Sequence, residues 1–133
     1  MIVVDENLHS RPIMSMINAW YQGQVVSVTS LRSSTVIKDD AIPGLLLTLK
    51  QPTFITINDS DFWQKVAPHS AYCVITFPLP KERVKDVPNL LRLIFRHPEF
   101  KTKALRMGKV VRLTDTHITL YEVDRHIKRL RWE

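Results

Sequence analysis

Short apolar runs alternate with segments of helical periodicity along much of the chain. The apolar runs predict four strands, at residues 2–4, 25–28, 53–57 and 71–77. Runs as short and as continuously apolar as these are typical of strands buried on both faces of a parallel sheet. Two later segments, residues 109–113 and 118–121, alternate with period two and predict a β-hairpin that turns at Asp115-Thr116.

Helices are predicted between the strands, because apolar residues recur there three or four positions apart. The predicted helices run from Ser10 to about Tyr21, from Asp39 through Leu49, over a short stretch holding Phe62 to Val66, and from Pro88 to Arg96. Pro12 is typical of a first helical turn, and Gly23 is typical of the residue after a helix end. Residues 29–38 are predicted to form a polar connection.

This alternation predicts an α/β fold with a mostly parallel sheet and right-handed crossovers. The chain has 133 residues, of which 44% are hydrophobic and 24% charged, so it is long enough for one domain with its own core. We therefore predict a single domain over residues 1–133. Within it, residues 78–133 supply a basic helix, the C-terminal β-hairpin and a basic tail.

Several common chemistries lack the residues that they need. The single cysteine, Cys73, excludes an internal disulfide and a thiolate zinc site, and the three glycines form no dinucleotide-binding or phosphate-loop motif. No apolar run approaches the roughly 18 residues of a membrane helix. The N-terminal residues show neither the basic segment nor the apolar stretch of a secretory signal. We expect a soluble, cytoplasmic protein with no membrane partner.

The charges are divided unequally between the two halves of the chain. Residues 1–66 carry five bases and six acids, whereas residues 67–133 carry fourteen bases and seven acids. A basic half favours a polyanionic partner such as RNA, although a basic surface also serves solubility alone. The tail at residues 125–132 has the same two interpretations, a solvated basic end or a nucleic-acid contact.

All six acids of the first half fall into three pairs. They are Asp5-Glu6, Asp39-Asp40, and Asp59 with Asp61. The first pair follows the first strand, the second pair opens the helix after the second strand, and the third pair follows the third strand. Because ligands of parallel sheets bind beyond the carboxyl ends of the strands, we predict that the three pairs converge at that edge.

Converging carboxylates repel one another, and a divalent cation relieves the repulsion. Mg²⁺ and Mn²⁺ prefer carboxylate oxygen and water as ligands, polarise a phosphodiester and lower the pKa of an attacking water. An acidic site in an otherwise basic protein thus indicates metal-dependent phosphodiester hydrolysis. Taken singly, each acid has a structural alternative, with Asp39, Asp40 or Asp61 as helix caps and Glu6 facing solvent.

Four short motifs follow one another through the acidic half. They are Asp5-Glu6-Asn7-Leu8, Gly23 with Val25-Val26, Asp39 with Ile42, and Asn58-Asp59-Ser60-Asp61-Phe62. In order and spacing they resemble the D-E-N-L, G-x-x-V, D-x-x-I and T-N-D-x-D-F motifs of a PIN-like family. The resemblance covers residues 1–77, and residues 78–133 match no motif.

The resemblance implies a three-layer α/β/α PIN-like fold related to Mg²⁺- or Mn²⁺-dependent ribonucleases, including toxins paired with small antitoxins. Carried over by position, the catalytic and metal-binding acids are Asp5, Asp39, Asp59 and Asp61. Asp40 substitutes for Asp39 as a metal ligand if the helix register shifts by one residue.

One position departs from the family pattern. The family usually has threonine two places before the first aspartate of its last motif, and this chain has Ile57 there. A hydroxyl that orients a carboxylate or a metal-bound water is then either missing or supplied by Thr56, one place earlier. A catalytically weak protein is expected in the first case.

Three functional hypotheses follow from these features. The first is a metal-dependent endoribonuclease of the toxin–antitoxin type, with Mg²⁺ or Mn²⁺ as cofactor, RNA as substrate, and a small antitoxin or a second copy of the chain as further partners. The second is a catalytically weak PIN-like module that binds RNA or a protein. The third is a receiver-like phosphotransfer domain with Asp59 as phosphoacceptor, although no lysine clearly follows a fifth parallel strand.

Overall fold

The computed structural model describes residues 1–31 and 38–132, and its strands form one seven-stranded sheet. The strands are β1 (Ile2–Val4), β2 (Val25–Ser27), β3 (Thr53–Thr56), β4 (Cys73–Thr76), β5 (Val110–Leu113), β6 (Ile118–Tyr121) and β7 (Lys128–Leu130). They are arranged in the order β2-β1-β3-β4-β5-β6-β7. The first five strands of the chain pair in parallel, whereas β6 and β7 are antiparallel to their neighbours. The predicted α/β fold with a mostly parallel sheet is confirmed.

Short helices connect the strands. They are α1 (Arg11–Asn18), α2 (Val28–Leu31), α3 (Ile42–Leu47), α4 (Asp59–Phe62), α5 (Val87–Arg96) and α6 (Lys103–Arg106). Helical turns of the 3-10 type cover Glu6–Leu8, Asp39–Ala41 and Lys81–Asp86. Within the described part of the chain, no helix has the length and apolar character needed to cross a membrane.

Several predicted boundaries differ from those of the structure. Helix α1 ends at Asn18, and Trp20 and Tyr21 just beyond it pack edge-to-face against Phe95 of α5. Val28 begins α2 instead of ending β2, and the Ser27 hydroxyl accepts a hydrogen bond from the Ser30 amide in the manner of a helix cap. Residues 32–37 of the predicted polar connection lie outside the described residues.

Two hydrophobic clusters lie on opposite faces of the sheet. Successive residues of β1 divide between them, because Ile2 and Val4 belong to one cluster and Val3 to the other. Side chains alternate across a strand, so the two clusters must occupy different faces. Helices α1 and α5 contribute to the first cluster, and α3 and α4 contribute to the second.

Residues 128–130 of the basic tail are part of the sheet, which the sequence pattern does not predict. They form β7, which pairs antiparallel with β6. Two side-chain bonds hold the following residues, since His97 Nε2 lies 2.7 Å from the Arg131 carbonyl oxygen and Trp132 Nε1 donates to the Thr114 carbonyl. The charged side chains of Lys128 and Arg129 remain exposed, as is usual on an edge strand.

Candidate functional site

The acidic residues gather where the direction of winding in the sheet changes. β1 and β3 are adjacent although β2 lies between them in sequence, so successive crossovers proceed to opposite sides of β1. Ligands of open α/β sheets bind at the carboxyl ends of the strands beside such a switch point. Asp5 follows β1 directly, and Asp59 and Asp61 lie in α4, shortly after β3.

Asp5 is the most buried of the aspartates at this edge, with 4% of its surface exposed. Its Oδ1 accepts a hydrogen bond from the Glu6 amide at 2.8 Å. Its Oδ2 accepts from the Thr56 hydroxyl at 2.7 Å and from the Asn7 side-chain amide at 3.2 Å. Burial raises the pKa of Asp5, and the hydrogen bond from Thr56 acts in the opposite direction.

Thr56 supplies a hydroxyl that orients the Asp5 carboxylate, although residue 57, where the PIN-like motif has threonine, is isoleucine. The Thr56 side chain is fully buried, and its oxygen also accepts the Asn58 backbone N–H at 2.9 Å. Val4 and Ile55 are register partners, so Thr56 and Asp5 are the next residues along two adjacent strands and face each other. Ile57 instead packs as a partly buried side chain against the hydrophobic core.

Asp39 and Asp61 form a second acidic group, joined by one amide. Asn58 Nδ2 donates to Asp39 Oδ2 at 3.0 Å and to Asp61 Oδ2 at 2.8 Å. Both acids line a cavity of about 540 Å³, and Asp40 and Lys65 line the same cavity. The structure therefore brings Asp39, Asp40 and Asp61 together from two separate connections of the chain.

The negative charges of the acids around Asp5 and of the pair Asp39 and Asp61 influence one another. Burial, a hydrogen bond with Asp61 and the charges of Asp5, Asp61 and Glu6 raise the pKa of Asp39 to about 6. The pKa of Asp61 is lowered, first by the Asn58 amide and then by its hydrogen bond with Asp39. Asp39 is therefore the carboxyl that takes up a proton most readily, and a proton there reduces the repulsion between neighbouring acids.

Asp59 is placed differently from the other predicted ligands. Its Oδ1 accepts a hydrogen bond from the Thr76 hydroxyl at 2.8 Å, and its Oδ2 lies 3.2 Å from Nη2 of Arg112. Thr56, Thr76 and Arg112 occupy one register row across β3, β4 and β5. The carboxylate of Asp59 is thus neutralised by a guanidinium on the neighbouring part of the sheet.

The donor chemistry of the site fits a hard divalent cation. As the side chains stand, residues 1–31 and 38–132 contain no group of three or more His, Cys, Asp or Glu arranged to hold a metal ion. Asp39 and Asp61 nevertheless offer carboxylate oxygens to one cavity, and the negative charge of Asp5 acts on Asp39. Oxygen ligands with surplus negative charge are what Mg²⁺ and Mn²⁺ select.

Four polar residues at this edge were not assigned a role from sequence. Asn7 and Asn58 belong to the recognised motifs, and their positions beside aspartates were the available signal. Thr76 and Arg112 belong to none of the matched motifs, and both lie in strands that are otherwise mostly apolar. Only the register of the sheet shows that they are neighbours at this edge. The receiver-like hypothesis required a lysine after the fifth strand. The observed cation near Asp59 is Arg112, inside β5.

Comparisons with protein-family models, with curated proteins and with solved structures find no match for this chain. Three properties define the site: a buried carboxylate oriented by a threonine, an amide-bridged pair of acids, and an aspartate neutralised by arginine.

Proposed function

We propose that the protein is a Mg²⁺- or Mn²⁺-dependent endoribonuclease with a PIN-like α/β/α fold, of the kind that serves as the toxin of a toxin–antitoxin pair. The observation that carries the proposal is the concentration of carboxylates around Asp39 at the carboxyl edge. Their mutual repulsion contributes to the pKa of about 6 at Asp39. An excess of negative charge at the edge of a chain of net charge +6 is best explained by a bound cation.

Asp39 and Asp61 would hold the cation, and Asp5 would complete the site from the adjacent strand. When bound, the cation polarises the phosphodiester and lowers the pKa of the attacking water. Thr56 fixes the orientation of the Asp5 carboxylate, and Asn58 holds Asp39 and Asp61 close together. Such positioning sets the donors before the substrate arrives, so little reorganisation is needed during the reaction.

Lysines beside the acids are suited to the phosphates of an RNA substrate. Lys38 and Lys65 line the same cavity as Asp39 and Asp61. The charge of Lys65 contributes to the lowered pKa of Asp61. Lysine contacts to phosphate are largely independent of base identity, so they would position the backbone without selecting a sequence.

The ion pair between Asp59 and Arg112 favours a second candidate, a catalytically weak module that binds RNA or a protein. The resemblance implies that Asp59 is a metal ligand. A carboxylate paired with a guanidinium has less negative charge to offer a cation, so the ion pair with Arg112 weakens Asp59 in that role. In this candidate function the acidic edge binds a cation weakly. The basic half then supplies the contact with the partner.

An RNA-cleavage assay separates the two candidates. Purified protein is incubated with end-labelled single-stranded RNA and Mn²⁺ or Mg²⁺, and cleavage is compared with that in EDTA. The nuclease proposal expects metal-dependent cleavage that Asp5→Asn and Asp61→Asn each reduce by about 10²-fold or more. Asp124→Asn, an exposed aspartate outside the acidic edge, is the matched control and should cleave normally. Binding of RNA without cleavage would support the second candidate.

A further inference from the structure

A second cavity opens at the opposite edge of the sheet. It has a volume of about 530 Å³, within the range of small-molecule sites. Its lining includes Tyr21 and Gly23, which precede β2, and Lys103 and Arg106, which precede β5. These residues lie at the amino ends of parallel strands, whereas Asp5 lies at the carboxyl end of β1. The length of β1 separates the two edges by about 10 Å.

This cavity is strongly basic. Five cations line it and no carboxylate does, and the cations are Arg92, Arg96, Lys101, Lys103 and Arg106. In residues 1–31 and 38–132, none of the five forms an ion pair with an aspartate or glutamate. Cations held around one concave surface without acidic partners attract anions, because the surrounding protein focuses their potential.

Arg106 shows that the basic character extends below the surface. Only 6% of the residue is exposed, and Nη1 donates to the Phe100 carbonyl at 2.9 Å. The guanidinium lies 4.0 Å from the centre of the Phe95 ring, and Nε is buried with no hydrogen-bond partner among the described residues. Buried arginines are nearly always paired with an anion. An anion from outside the chain would supply the partner that the described residues do not.

Aromatic side chains form the remaining wall of the cavity. Trp20, Tyr21 and Phe95 pack edge-to-face with centroid distances between 5.7 and 6.0 Å. The buried Nε1 of Trp20 has no hydrogen-bond partner within the described residues. Gly23 allows this packing, since a Cβ there would lie 2.7 Å from the Tyr21 ring. Arginines interleaved with aromatic rings are typical of surfaces that bind phosphate together with a nucleobase.

We propose that the cavity at the amino edge binds the phosphate of a nucleotide, either a free mononucleotide or the terminal nucleotide of an RNA chain. Arg106 provides the buried counter-charge, and Arg96 and Lys103 reach the same phosphate from the rim. The aromatic wall provides apolar area for the base. The inference does not rest on the acidic edge, because no residue of that edge lines this cavity.

Binding is measured without divalent cation, so that RNA stays intact. AMP, adenosine, inorganic phosphate and a short oligoribonucleotide with a 5′-phosphate or a 5′-hydroxyl are titrated in EDTA. The readouts are calorimetry and the indole NMR signal of Trp20, assigned with Trp20→Phe. The test variant is Arg96→Gln with Lys103→Gln, both exposed and therefore compatible with folding. Lys50→Gln with Lys81→Gln removes the same charge from exposed positions outside the cavity.

The proposal expects AMP to bind more tightly than adenosine and to shift the Trp20 signal. The test variant should weaken AMP binding at least about tenfold, and the control variant should leave it nearly unchanged. Tighter binding of the 5′-phosphorylated oligonucleotide than of AMP would identify an RNA end as the ligand, and the reverse would identify a free nucleotide. No binding of either, equal weakening by both variants, or equal binding of AMP and adenosine would overturn the proposal.

Discussion

The hydroxyl of Thr56 donates a 2.7 Å hydrogen bond to Oδ2 of Asp5, joining residues that are 51 positions apart in the chain. Both residues stand at the carboxyl ends of adjacent parallel strands. The bond opposes the effect of burial on the pKa of Asp5 and favours its ionised form. An orienting hydroxyl is thus present beside this carboxylate, although the PIN-like motif that the sequence resembles has threonine one residue later.

We expect Thr56→Val to damage the acidic edge. The change keeps the side-chain volume but leaves the Asn58 amide without a partner and Asp5 Oδ2 with the Asn7 amide alone, which costs about 1–3 kcal/mol of unfolding free energy. The pKa of Asp5 should rise further, as followed by NMR titration of its carboxyl carbon. Thr56→Ser keeps the hydroxyl and is the matched control. Equal pKa values of Asp5 in the valine variant and the wild type would show that the bond has no electrostatic role.

Ile57→Thr tests the same point from the neighbouring position. Because Thr56 already serves Asp5, adding a hydroxyl at residue 57 should change metal-dependent cleavage little. The assay compares initial rates on single-stranded RNA with Mn²⁺. A large acceleration by Ile57→Thr would mean that a second hydroxyl, which Thr56 does not replace, limits the natural rate.

Divalent cations should raise the melting temperature of the protein. A ligand that binds only the native state stabilises it by about 2.7 kcal/mol at a hundred times its dissociation constant. The double variant Asp5→Asn with Asp61→Asn should lose this shift, as measured by calorimetry with and without Mn²⁺. The same metal-induced shift in both proteins would rule out a shared site at these acids.

Asp39 should make the metal-free protein less stable as pH rises. Its pKa is about 3.9 in an unfolded chain and about 6 in the fold, so folding favours the protonated form. The resulting stability is present below about pH 4 and is lost as pH rises through about 6. In EDTA, Asp39→Asn should therefore melt a few degrees above the wild type at pH 7 and close to it at pH 4. A difference that does not depend on pH would contradict the assignment.

Arg112→Gln should release Asp59 for cation binding. The variant loses the ion pair, and the Asp59 side chain is only 17% exposed, so the metal-free protein should lose about 1–2 kcal/mol of stability. Its metal-induced rise in melting temperature should exceed that of the wild type, because a carboxylate without a partner gains more from a cation. Arg83→Gln, which breaks surface ion pairs with Asp86 and Asp115, is the control. Equal metal-induced shifts would indicate that Asp59 takes no part in cation binding.

The chain's own pattern predicts a large part of this fold and the location of its acidic edge. The strands β1 to β4 follow from apolar runs that only a doubly covered sheet can bury, and α5 follows from its helical periodicity. The same pattern places Asp5, Asp39 and Asp61 after strands or at a helix start, and therefore at one edge. These predictions succeed because they depend on local spacing, which the sequence records directly.

Tertiary structure alone determines which polar groups meet. The pairing of Thr56 with Asp5 and of Arg112 with Asp59 depends on strand register, and register depends on how the whole hydrophobic core packs. The basic tail contains few apolar residues, so β7 becomes evident only through its hydrogen bonds to β6. The cavity around Arg106 joins residues just after α1 with residues of α5 and α6, segments that no local pattern connects. Local spacing determines the elements, and long-range packing determines their chemical contacts.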